Sequence, residues 1–476
     1  MSDIFLYNTA SRKKEKFVPL KPGEVGIYSC GPTVYWNQHI GHMYAYVQWD
    51  ALVRFLRYSG FNVRWVMNVT DVGHMTSDED IGEDKMEKGA KREGVSVWDL
   101  AGRYIAQFLE SVDLVNIKRP DILCRATEHI PEQIDLIKKI EAKGFTYKTR
   151  MGVVFDTSKF SDYSKFANLK LEKLKARNDL AEDAEKRLAW DFLLWVTGRP
   201  EHLMQWDSPW GKGYPGWHIE CSAMSTKYLG ERFDIHTGGI EHISVHHTNE
   251  IAQGYGAFGY QTANFWLHNA WLISESGEKM SKSSGKFVTV QELVAKGYDP
   301  TALRYLYLTS HYRKGLNFSW QALDAAAGAL ENLRNVIRGA REGNRTSLSQ
   351  EKLQKVRSYS DKFVAALSED LNIPQALAVL WEALKSNIPS EDKYDLALSF
   401  DEVFGLRLAQ VSSIEYQVSK EIQDLLKKRE ELRTEGKWRE ADKVRKQIQE
   451  KGFLIEDAPQ GTRVKPAKKP INELTK

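Results

Sequence analysis

One stretch decides the fold: Cys30-Gly31-Pro32-Thr33-Val34-Tyr35-Trp36-Asn37-Gln38-His39-Ile40-Gly41-His42. It joins the apolar run 25–28 to a long amphipathic run, 43–59, that stops before Gly60. The pattern predicts a strand that turns directly into a helix. In open α/β sheets, ligands bind outside the carboxyl ends of strands, and a helix start offers free N–H groups to phosphate. The stretch therefore predicts a ligand site at this turn.

The turn carries residues suited to a metal and to a phosphate. Cys30, on the strand side, is a soft metal ligand, and His39 and His42 flank the helix start. Gly41 lets the backbone approach a ligand closely. The same residues also fit ordinary packing, because a cysteine is often a small buried hydrophobe and a histidine is often buried for structural reasons. At this turn both interpretations stay open.

Length and composition indicate a globular protein of about two to four domains, since 476 residues exceed one hydrophobic core. Hydrophobic residues make up 42% and charged residues 28%, and no apolar run reaches membrane-spanning length. Residues 1–5 do not start a signal peptide. The three cysteines, at 30, 124 and 221, form no disulfide framework. We expect a cytoplasmic protein with no membrane partner.

The net charge of +3 is unevenly distributed along the chain. Residues 418–476 carry 16 Lys and Arg against 11 Asp and Glu, a local charge of +5 that leaves −2 for the rest. A basic helical end favours a polyanionic partner. The alternative is a charged helix that is simply solvated, and charge alone does not exclude it.

The fold class predicted is α/β, with a doubly wound parallel sheet of the Rossmann type. A second apolar run, 63–69, completes a strand–helix–strand unit and ends at Asn68-Val69-Thr70-Asp71, which faces the same crevice. Further strands are expected at 216–221, 234–236 and 265–273, with a tight turn at 237–239. Helical periodicity dominates from Pro300 onward.

Three domains follow from this pattern. The first domain spans 1–315, with an insertion at about 72–212 between two halves of its sheet. An α-helical bundle spans 316–412, and a small basic C-terminal domain spans 413–476. Within the last domain, 422–452 predicts a charged helical hairpin with a break near Gly436.

Four separated residues are of types that bind zinc. His246 and Glu250 are four apart on a predicted helix and project from one face, and Cys221 and Cys30 each lie at the end of a predicted strand. The spacing is not that of a zinc finger. The four converge only if the fold brings both strand ends together, so packing remains the alternative from spacing alone.

A second basic feature is the loop Lys279-Met280-Ser281-Lys282-Ser283, which is followed by Gly285. Two lysines on a Ser-rich loop can wrap a polyphosphate and stabilise charge that develops on it. The alternative is an ordinary exposed basic loop.

Together, these motifs resemble those of a known family. His39-Ile40-Gly41-His42 and Lys279–Ser283 resemble the two signatures of class I aminoacyl-tRNA synthetases. The surroundings are similar to the cysteinyl-tRNA synthetase family over nearly the whole chain. The additional matches are Cys30 to Tyr35, Asn68 to Asp71, residues 216–224, and His246-His247 with Glu250-Ile251-Ala252-Gln253.

The resemblance implies a set of site residues. One Zn²⁺ per chain falls on Cys30, Cys221, His246 and Glu250, where it binds the thiolate of the substrate. The catalytic residues, which also bind ATP, are His39, His42, Lys279 and Lys282, and Gly41, Gly238 and Gly239 join them at the ATP. Gly31, Thr70 and Trp217 lie at the amino-acid substrate.

The resemblance also implies the reaction and the partners. L-cysteine reacts with ATP, which Mg²⁺ accompanies, to give cysteinyl-adenylate, and tRNA(Cys) then receives the cysteine. The resemblance further implies that the bundle 316–412 binds tRNA and that the C-terminal domain 413–476 recognises the anticodon, and a monomer is expected. Departures from the family include Thr237, where a glycine is frequent, and Val464, where an aromatic residue is expected to stack on an anticodon base. Ser244 and Thr248 replace a frequent proline and glutamate around the histidine pair and leave all four ligands in place.

Two alternative functions remain at this stage. A cysteine ligase of mycothiol-type biosynthesis would keep the zinc and ATP residues but lack the basic tail after Tyr416. A noncatalytic tRNA-binding or zinc-sensing relative would lose the phosphate-binding residues, yet both signatures are complete.

Overall fold

A five-stranded parallel sheet forms the centre of the catalytic part. The computed structural model describes residues 3–73, 84–169, 183–274, 287–341, 349–409, 420–451, 453–458 and 461–466. The strands are β1 (Phe5–Asn8), β2 (Lys13–Lys16), β3 (Glu24–Ser29), β4 (Asn62–Val69), β5 (Ile122–Arg125), β6 (Thr146–Thr149), β7 (Gly152–Phe155), β8 (Phe192–Val196), β9 (Tyr214–Pro215), β10 (Phe233–Gly239), β11 (Ala263–Asn269), β12 (Leu272–Ile273), β13 (Leu316–Asn317), β14 (Phe453–Ala458) and β15 (Gly461–Pro466).

Helices surround this sheet and form the second half of the chain. They are α1 (Ile40–Tyr58), α2 (Lys85–Glu93), α3 (Val97–Leu114), α4 (Ile130–Ala142), α5 (Trp217–Leu229), α6 (His246–Phe258), α7 (Val290–Ala295), α8 (Pro300–Leu308), α9 (Trp320–Arg341), α10 (Gln350–Ser368), α11 (Ile373–Lys385), α12 (Ser390–Phe404), α13 (Lys420–Thr434) and α14 (Trp438–Glu450). Among the residues described, no helix is both long enough and apolar enough to span a lipid bilayer.

The strand order is β11-β10-β3-β4-β5, and every pair is parallel. From β3 the chain winds first towards β4 and β5 and later returns on the other side to β10 and β11. The order therefore reverses between β3 and β10, which is the switch point where doubly wound folds bind ligands. The backbone N–H of Cys30 donates to the carbonyl of Thr237 across this point, at 3.1 Å. The predicted fold class is confirmed.

Helix α1 is the element that fixes the predicted turn against the sheet. It begins at Ile40, three residues before the predicted amphipathic run, and ends before Gly60, whose φ of 87° suits glycine. Its inner face buries Trp49 and Phe55 completely, and such side chains each contribute about 1.5–3 kcal/mol on burial. The helix packs on β4, α8 and α12 and so joins the sheet to the helical region.

The range 72–212 contributes to two sheets. Strand β5 lies inside it and pairs with β4, so the expected insertion includes an edge strand of the central sheet. Strands β6 and β7 form a hairpin, and with β8 and β9 they make a separate antiparallel sheet of four strands.

Two local predictions near the switch point are wrong. Residues 216–221 form the start of α5 and not a strand, because residues 218–225 are buried on every side and show no amphipathic period. Residues 237–239 continue β10 and pair with β11 through Gly239, where a tight turn was expected. A Cβ on Gly238 would lie 2.6 Å from Nδ1 of His242, so the absence of a side chain at Gly238 allows the His242 ring to pack against β10.

The helical predictions for the second half are confirmed. Helices α9 to α12 follow the predicted periodicity, and α13 and α14 form the charged hairpin, with Gly436 at φ 72° between them. The antiparallel pair β14 and β15, which follows, was not predicted. Ile455 of β14 packs with Val444 and Ile448 of α14 in a small core of this terminal unit.

Candidate metal and nucleotide site

Four predicted metal ligands meet at the switch point. Cys30 follows β3, Cys221 lies in the second turn of α5, and His246 and Glu250 lie in the first turns of α6. Their ligand atoms all lie within 4.8 Å of one another, and none of the four side chains is more than 9% exposed. Because α5 packs on β3 and β4 and also on α6, residues distant in sequence share one small volume.

The donor chemistry of the four residues fits zinc. Two sulfurs, one imidazole nitrogen and one carboxylate oxygen are all common zinc ligands. Donors of a tetrahedral zinc with bonds of about 2.0–2.3 Å lie roughly 3.3–3.8 Å apart. Nε2 of His246 and Oε1 of Glu250 are already 3.0 Å apart. The four donors therefore need only small side-chain movements to share one ion.

The pKa of each residue in this buried cluster is shifted from its ordinary value. Burial raises the pKa of both thiols, and the neighbouring Cys30 raises that of Cys221 further. Burial alone would raise the pKa of Glu250, but His236 and His246 lower it below its usual range. Burial would lower the pKa of His246, but Glu250 and Cys221 raise it to about 10.

A second donor set overlaps the first. Cys30, Glu250, His236 and His247 also have ligand atoms within 4.8 Å of one another. Nε2 of His247 lies 3.3 Å from the Cys30 sulfur, and Nε2 of His236 lies 2.9 Å from Oε2 of Glu250. His236 of β10 and His247 of α6 therefore hold Glu250 and Cys30 in place.

The histidines around the cluster are linked further and were missed by sequence reasoning. Nδ1 of His247 lies 2.7 Å from Nε2 of His268, and Nδ1 of His246 lies 2.9 Å from Nδ1 of His218. The signal available in the sequence was the local density of histidines, because six of the twelve fall in residues 218–268. Such bonds fix the ring orientation of a metal-binding histidine.

The predicted amino-acid residues lie beside the cluster. The ring of Trp217 stacks on His246 at 4.4 Å between centroids and is half-buried. Thr33 and Thr70 form a backbone bridge that joins the ends of β3 and β4. The N–H of Gly31 donates to Oδ1 of Asn68 at 2.9 Å, and a Cβ on Gly31 would lie 1.7 Å from the Asn68 carbonyl oxygen. Only glycine allows this approach.

The predicted nucleotide residues gather at the start of α1. The rings of His39 and His42 stack at 3.7 Å, and Gly41 lies between them in the first turn. Ile40 donates its N–H to the carbonyl of Val288, and His39 forms a bridge with Thr289. Gly238 and Gly239 end β10, next to the strand that leads to Cys30.

The whole lysine signature, Lys279–Ser283, lies in a segment that the structure does not describe. Lys279 and Lys282 lie outside the described residues, as does the rest of 275–286. The segment after it, at 287–289, is joined to the histidine turn by the contacts of Val288 and Thr289. On the other side, β12 is fixed by parallel pairing with β13.

Comparison with protein families gives two matches that together span most of the chain. Residues 16–328 match the catalytic domain of class I tRNA synthetases of the cysteinyl type, described as "tRNA synthetases class I (C) catalytic domain". Residues 417–464 match the "Cysteinyl-tRNA ligase anticodon binding domain".

Individual relatives are similar to this chain over nearly the full length of both sequences. The chain is 46% identical to cysteine--tRNA ligase 1 of Burkholderia lata, over 97% of this chain and 96% of the relative. It is 44% identical to the cysteine--tRNA ligase of Treponema denticola, over 95% and 97% respectively. The enzyme of the same name from Thermus thermophilus is 37% identical, over 97% and 98%.

Solved structures are similar to this chain in fold. The Mycobacterium tuberculosis methionyl-tRNA synthetase in complex with methionyl-adenylate superimposes with a TM-score of 0.54 at 16% identity, over 81% of this chain and 90% of that one. The family matches and the near-full-length relatives carry the assignment beyond the fold. The chain belongs to the cysteine--tRNA ligase family of class I aminoacyl-tRNA synthetases.

Proposed function

We propose that this enzyme activates L-cysteine with ATP and transfers it to tRNA(Cys), and that zinc selects the cysteine thiolate. The activity is that of the relatives, which match over nearly their whole length. One observation carries the metal-dependent selection: the convergence of Cys30, Cys221, His246 and Glu250 in a buried cluster.

Cys30, Cys221, His246 and Glu250 would hold the zinc. When bound, the ion supplies a soft ligand position that prefers a thiolate to a hydroxyl. This preference matters because cysteine and serine differ by one atom, and a pocket that senses only size discriminates near-isosteres by about 1–3 kcal/mol. Two thiolates and a carboxylate give the site a formal charge of −1, so selection rests on softness and geometry.

The set with two cysteines is preferred to the overlapping set with two histidines. His236 contacts Glu250 at 2.9 Å, and His247 lies 3.3 Å from the Cys30 sulfur and 3.9 Å from Glu250, which suits residues that orient ligands. A set with two sulfurs is also the softer one, as thiolate selection requires.

The chemical step is attack by the cysteine carboxylate on the α-phosphate of ATP, which gives the adenylate and pyrophosphate. The terminal ribose hydroxyl of tRNA then attacks the adenylate. His39, Gly41 and His42 at the positive end of α1 support binding of the phosphates, and Gly238 and Gly239 border the nucleotide. Lys279 and Lys282 would stabilise charge on the phosphates, together with Mg²⁺.

The amino acid would be held between the metal and three neighbours. Trp217 forms a wall of the pocket beside His246, and Gly31 and Thr70 lie at the ends of β3 and β4. Positioning of this kind lowers the barrier because carboxylate and phosphate meet already aligned.

The tRNA partner is supported by the match of 417–464 to an anticodon-binding domain. We divide the chain into the catalytic domain 1–315, the bundle 316–412 and the C-terminal domain 413–476. We propose that the protein acts as a monomer in the cytoplasm. Transfer of cysteine to an amino sugar is disfavoured by that domain, and a noncatalytic role is disfavoured by the complete signatures.

The test is cysteine-dependent exchange of pyrophosphate into ATP, followed by charging of either tRNA(Cys) or the amino sugar acceptor. Exchange with cysteine and charging of tRNA alone is expected. Lys282→Ala should slow exchange while zinc content stays unchanged. No exchange in the zinc-loaded enzyme, or charging of the sugar alone, would contradict the proposal.

A further inference from the structure

Three hydrogen bonds run from the end of β3 into helix α5. The N–H of Gly31 donates to Oδ1 of Asn68 at 2.9 Å. Nδ2 of Asn68 donates to Oγ1 of Thr70 at 3.2 Å, and that hydroxyl donates to Oε2 of Glu220 at 2.9 Å. Glu220 thus ends a chain that begins beside Cys30.

The direction of this chain is fixed by its first member. A backbone N–H can only donate, so the oxygen of the Asn68 amide must face Gly31 and its NH₂ must face Thr70. The Thr70 hydroxyl therefore accepts a hydrogen bond from Asn68 and donates its own hydrogen bond to Glu220. One lone pair of the Thr70 hydroxyl remains for a further donor.

Glu220 is placed where it can act on the amino-acid pocket without lining it. Its side chain is fully buried in α5, one turn after Trp217 and next to Cys221. Among the described residues it forms no ion pair with Lys or Arg, and Thr70 is its hydrogen-bond partner. Its other oxygen, Oε1, is buried without a hydrogen-bond partner there.

We infer that Glu220 is a positioning residue for the α-ammonium group of the amino-acid substrate. By accepting the hydrogen bond from the Thr70 hydroxyl, Glu220 leaves the Thr70 oxygen free to act only as an acceptor, and an ammonium group is a pure donor. The inference rests on the proposed function, since it takes Thr70 to contact the amino acid.

The arrangement also separates two tasks within one pocket. The cluster at Cys221 recognises the side chain of the substrate, whereas Glu220, its neighbour in α5, acts through Thr70 on the main-chain end. A hydrogen bond to a charged group contributes enough that its loss weakens binding about tenfold or more. The binding of a substrate analogue without the amino group should not be weakened by loss of that hydrogen bond.

The experiment compares binding of cysteine and of 3-mercaptopropionate, which lacks the amino group, by calorimetry on zinc-loaded protein. Glu220→Met fills the space but cannot accept from Thr70, and it should weaken cysteine binding about tenfold and leave 3-mercaptopropionate within about threefold. Glu220→Gln keeps an acceptor oxygen and should restore cysteine binding to within about threefold of the wild type. Ser225→Ala, a buried change in the same helix, should alter neither ligand.

A double variant tests whether Glu220 acts through Thr70. Thr70→Val alone should weaken cysteine binding, and adding Glu220→Met should weaken it no further. Equal losses for both ligands, failure of Glu220→Gln to restore binding, or additive losses in the double variant would overturn the inference. Failure of the proposed function looks different, because the wild type itself would then show no cysteine-dependent pyrophosphate exchange.

Discussion

The sulfur atoms of Cys30 and Cys221 lie within 4.8 Å of each other although the residues are nearly two hundred positions apart in sequence. One follows a strand and the other lies in a helix, so neither is positioned by the local structure of the other. They meet because the strand order of the sheet reverses between β3 and β10, and because α5 packs on β3, on β4 and on α6. The candidate metal site is therefore a product of the doubly wound topology.

Loss of either sulfur should release zinc. Cys221→Ser replaces a thiolate by a hydroxyl that stays protonated, so zinc affinity should fall by more than about tenfold and discrimination against serine should weaken. Zinc content after dialysis and exchange rates with cysteine and serine measure this. Cys124→Ser is the matched control, because Cys124 is equally buried but outside both donor sets. Full zinc content in Cys221→Ser would refute the ligand assignment.

A methyl group on Gly31 should disable the pocket. The added Cβ would meet the backbone oxygen of Asn68 at 1.7 Å, so β3 and β4 must separate at their ends. A displacement of about 1 Å costs about 100-fold in rate when reacting groups are misaligned. Gly31→Ala should therefore lower cysteine-dependent exchange by about that factor. Gly102→Ala in α3, where a Cβ meets nothing within 4 Å, should leave exchange unchanged; an equal loss there would contradict this reasoning.

A buried charge cluster should dominate the stability of the junction between sheet and helices. Asp50 of α1 accepts hydrogen bonds from Arg54 at 2.7 Å and from Arg304 at 2.5 Å, and its side chain is inaccessible to solvent. Asp50→Asn removes the carboxylate to which two buried guanidinium groups donate hydrogen bonds and should destabilise the fold by about 3–5 kcal/mol. Urea unfolding measures the change.

The matched control for Asp50 is an exposed pair. Asp135 and Lys138 lie on α4 and are 3.2 Å apart, with side chains at least half exposed. Asp135→Asn should change stability by no more than about 1 kcal/mol. If both substitutions shift the urea midpoint equally, burial does not set the strength of these pairs.

His202 should give the protein a pH-dependent contribution to stability. Burial lowers the pKa of His202, but Asp84, 3.4 Å away, and Glu87, 3.6 Å away, raise it above the ordinary 6.5. The ring also stacks on Tyr214, and its Nδ1 faces the carbonyl of Met204. Because the folded pKa is the higher one, the stabilisation is complete below about pH 6.5 and is lost as pH rises through the folded pKa.

Thermal unfolding across that pH range checks this expectation. The difference in unfolding temperature between the wild type and His202→Gln should shrink as pH rises, since glutamine carries no titrating charge. A difference that stays constant or grows with pH would show that His202 is not protonated in its ion pair.

The sequence predicted those elements whose pattern is local. The apolar runs around Gly60 specify the strand–helix–strand unit, and the spacing of His246 and Glu250 places both on one helix face. The anticipated meeting of Cys30 and Cys221 depended on the topology, and the sequence indicated only the doubly wound class, because β5 lies in the range expected as an insertion and 216–221 is not a strand.

Elements buried on all sides were harder to predict. Helix α5 lacks an amphipathic period, so its start resembled a strand, and β10 continues through Gly238 because a neighbouring histidine fills the space of the absent side chain. The bonds of His247 with His268 and of Thr70 with Glu220 join separate segments, and no local pattern in the sequence encodes such pairs.

X-ray absorption at the zinc edge tests the central claim most directly, because it counts the sulfur atoms around the ion with and without substrate. Two sulfurs, from Cys30 and Cys221, are expected in the zinc-loaded enzyme alone. Addition of cysteine should raise the number to three, and addition of serine should leave it at two. A sulfur count that cysteine does not change would contradict selection of the substrate through its thiolate.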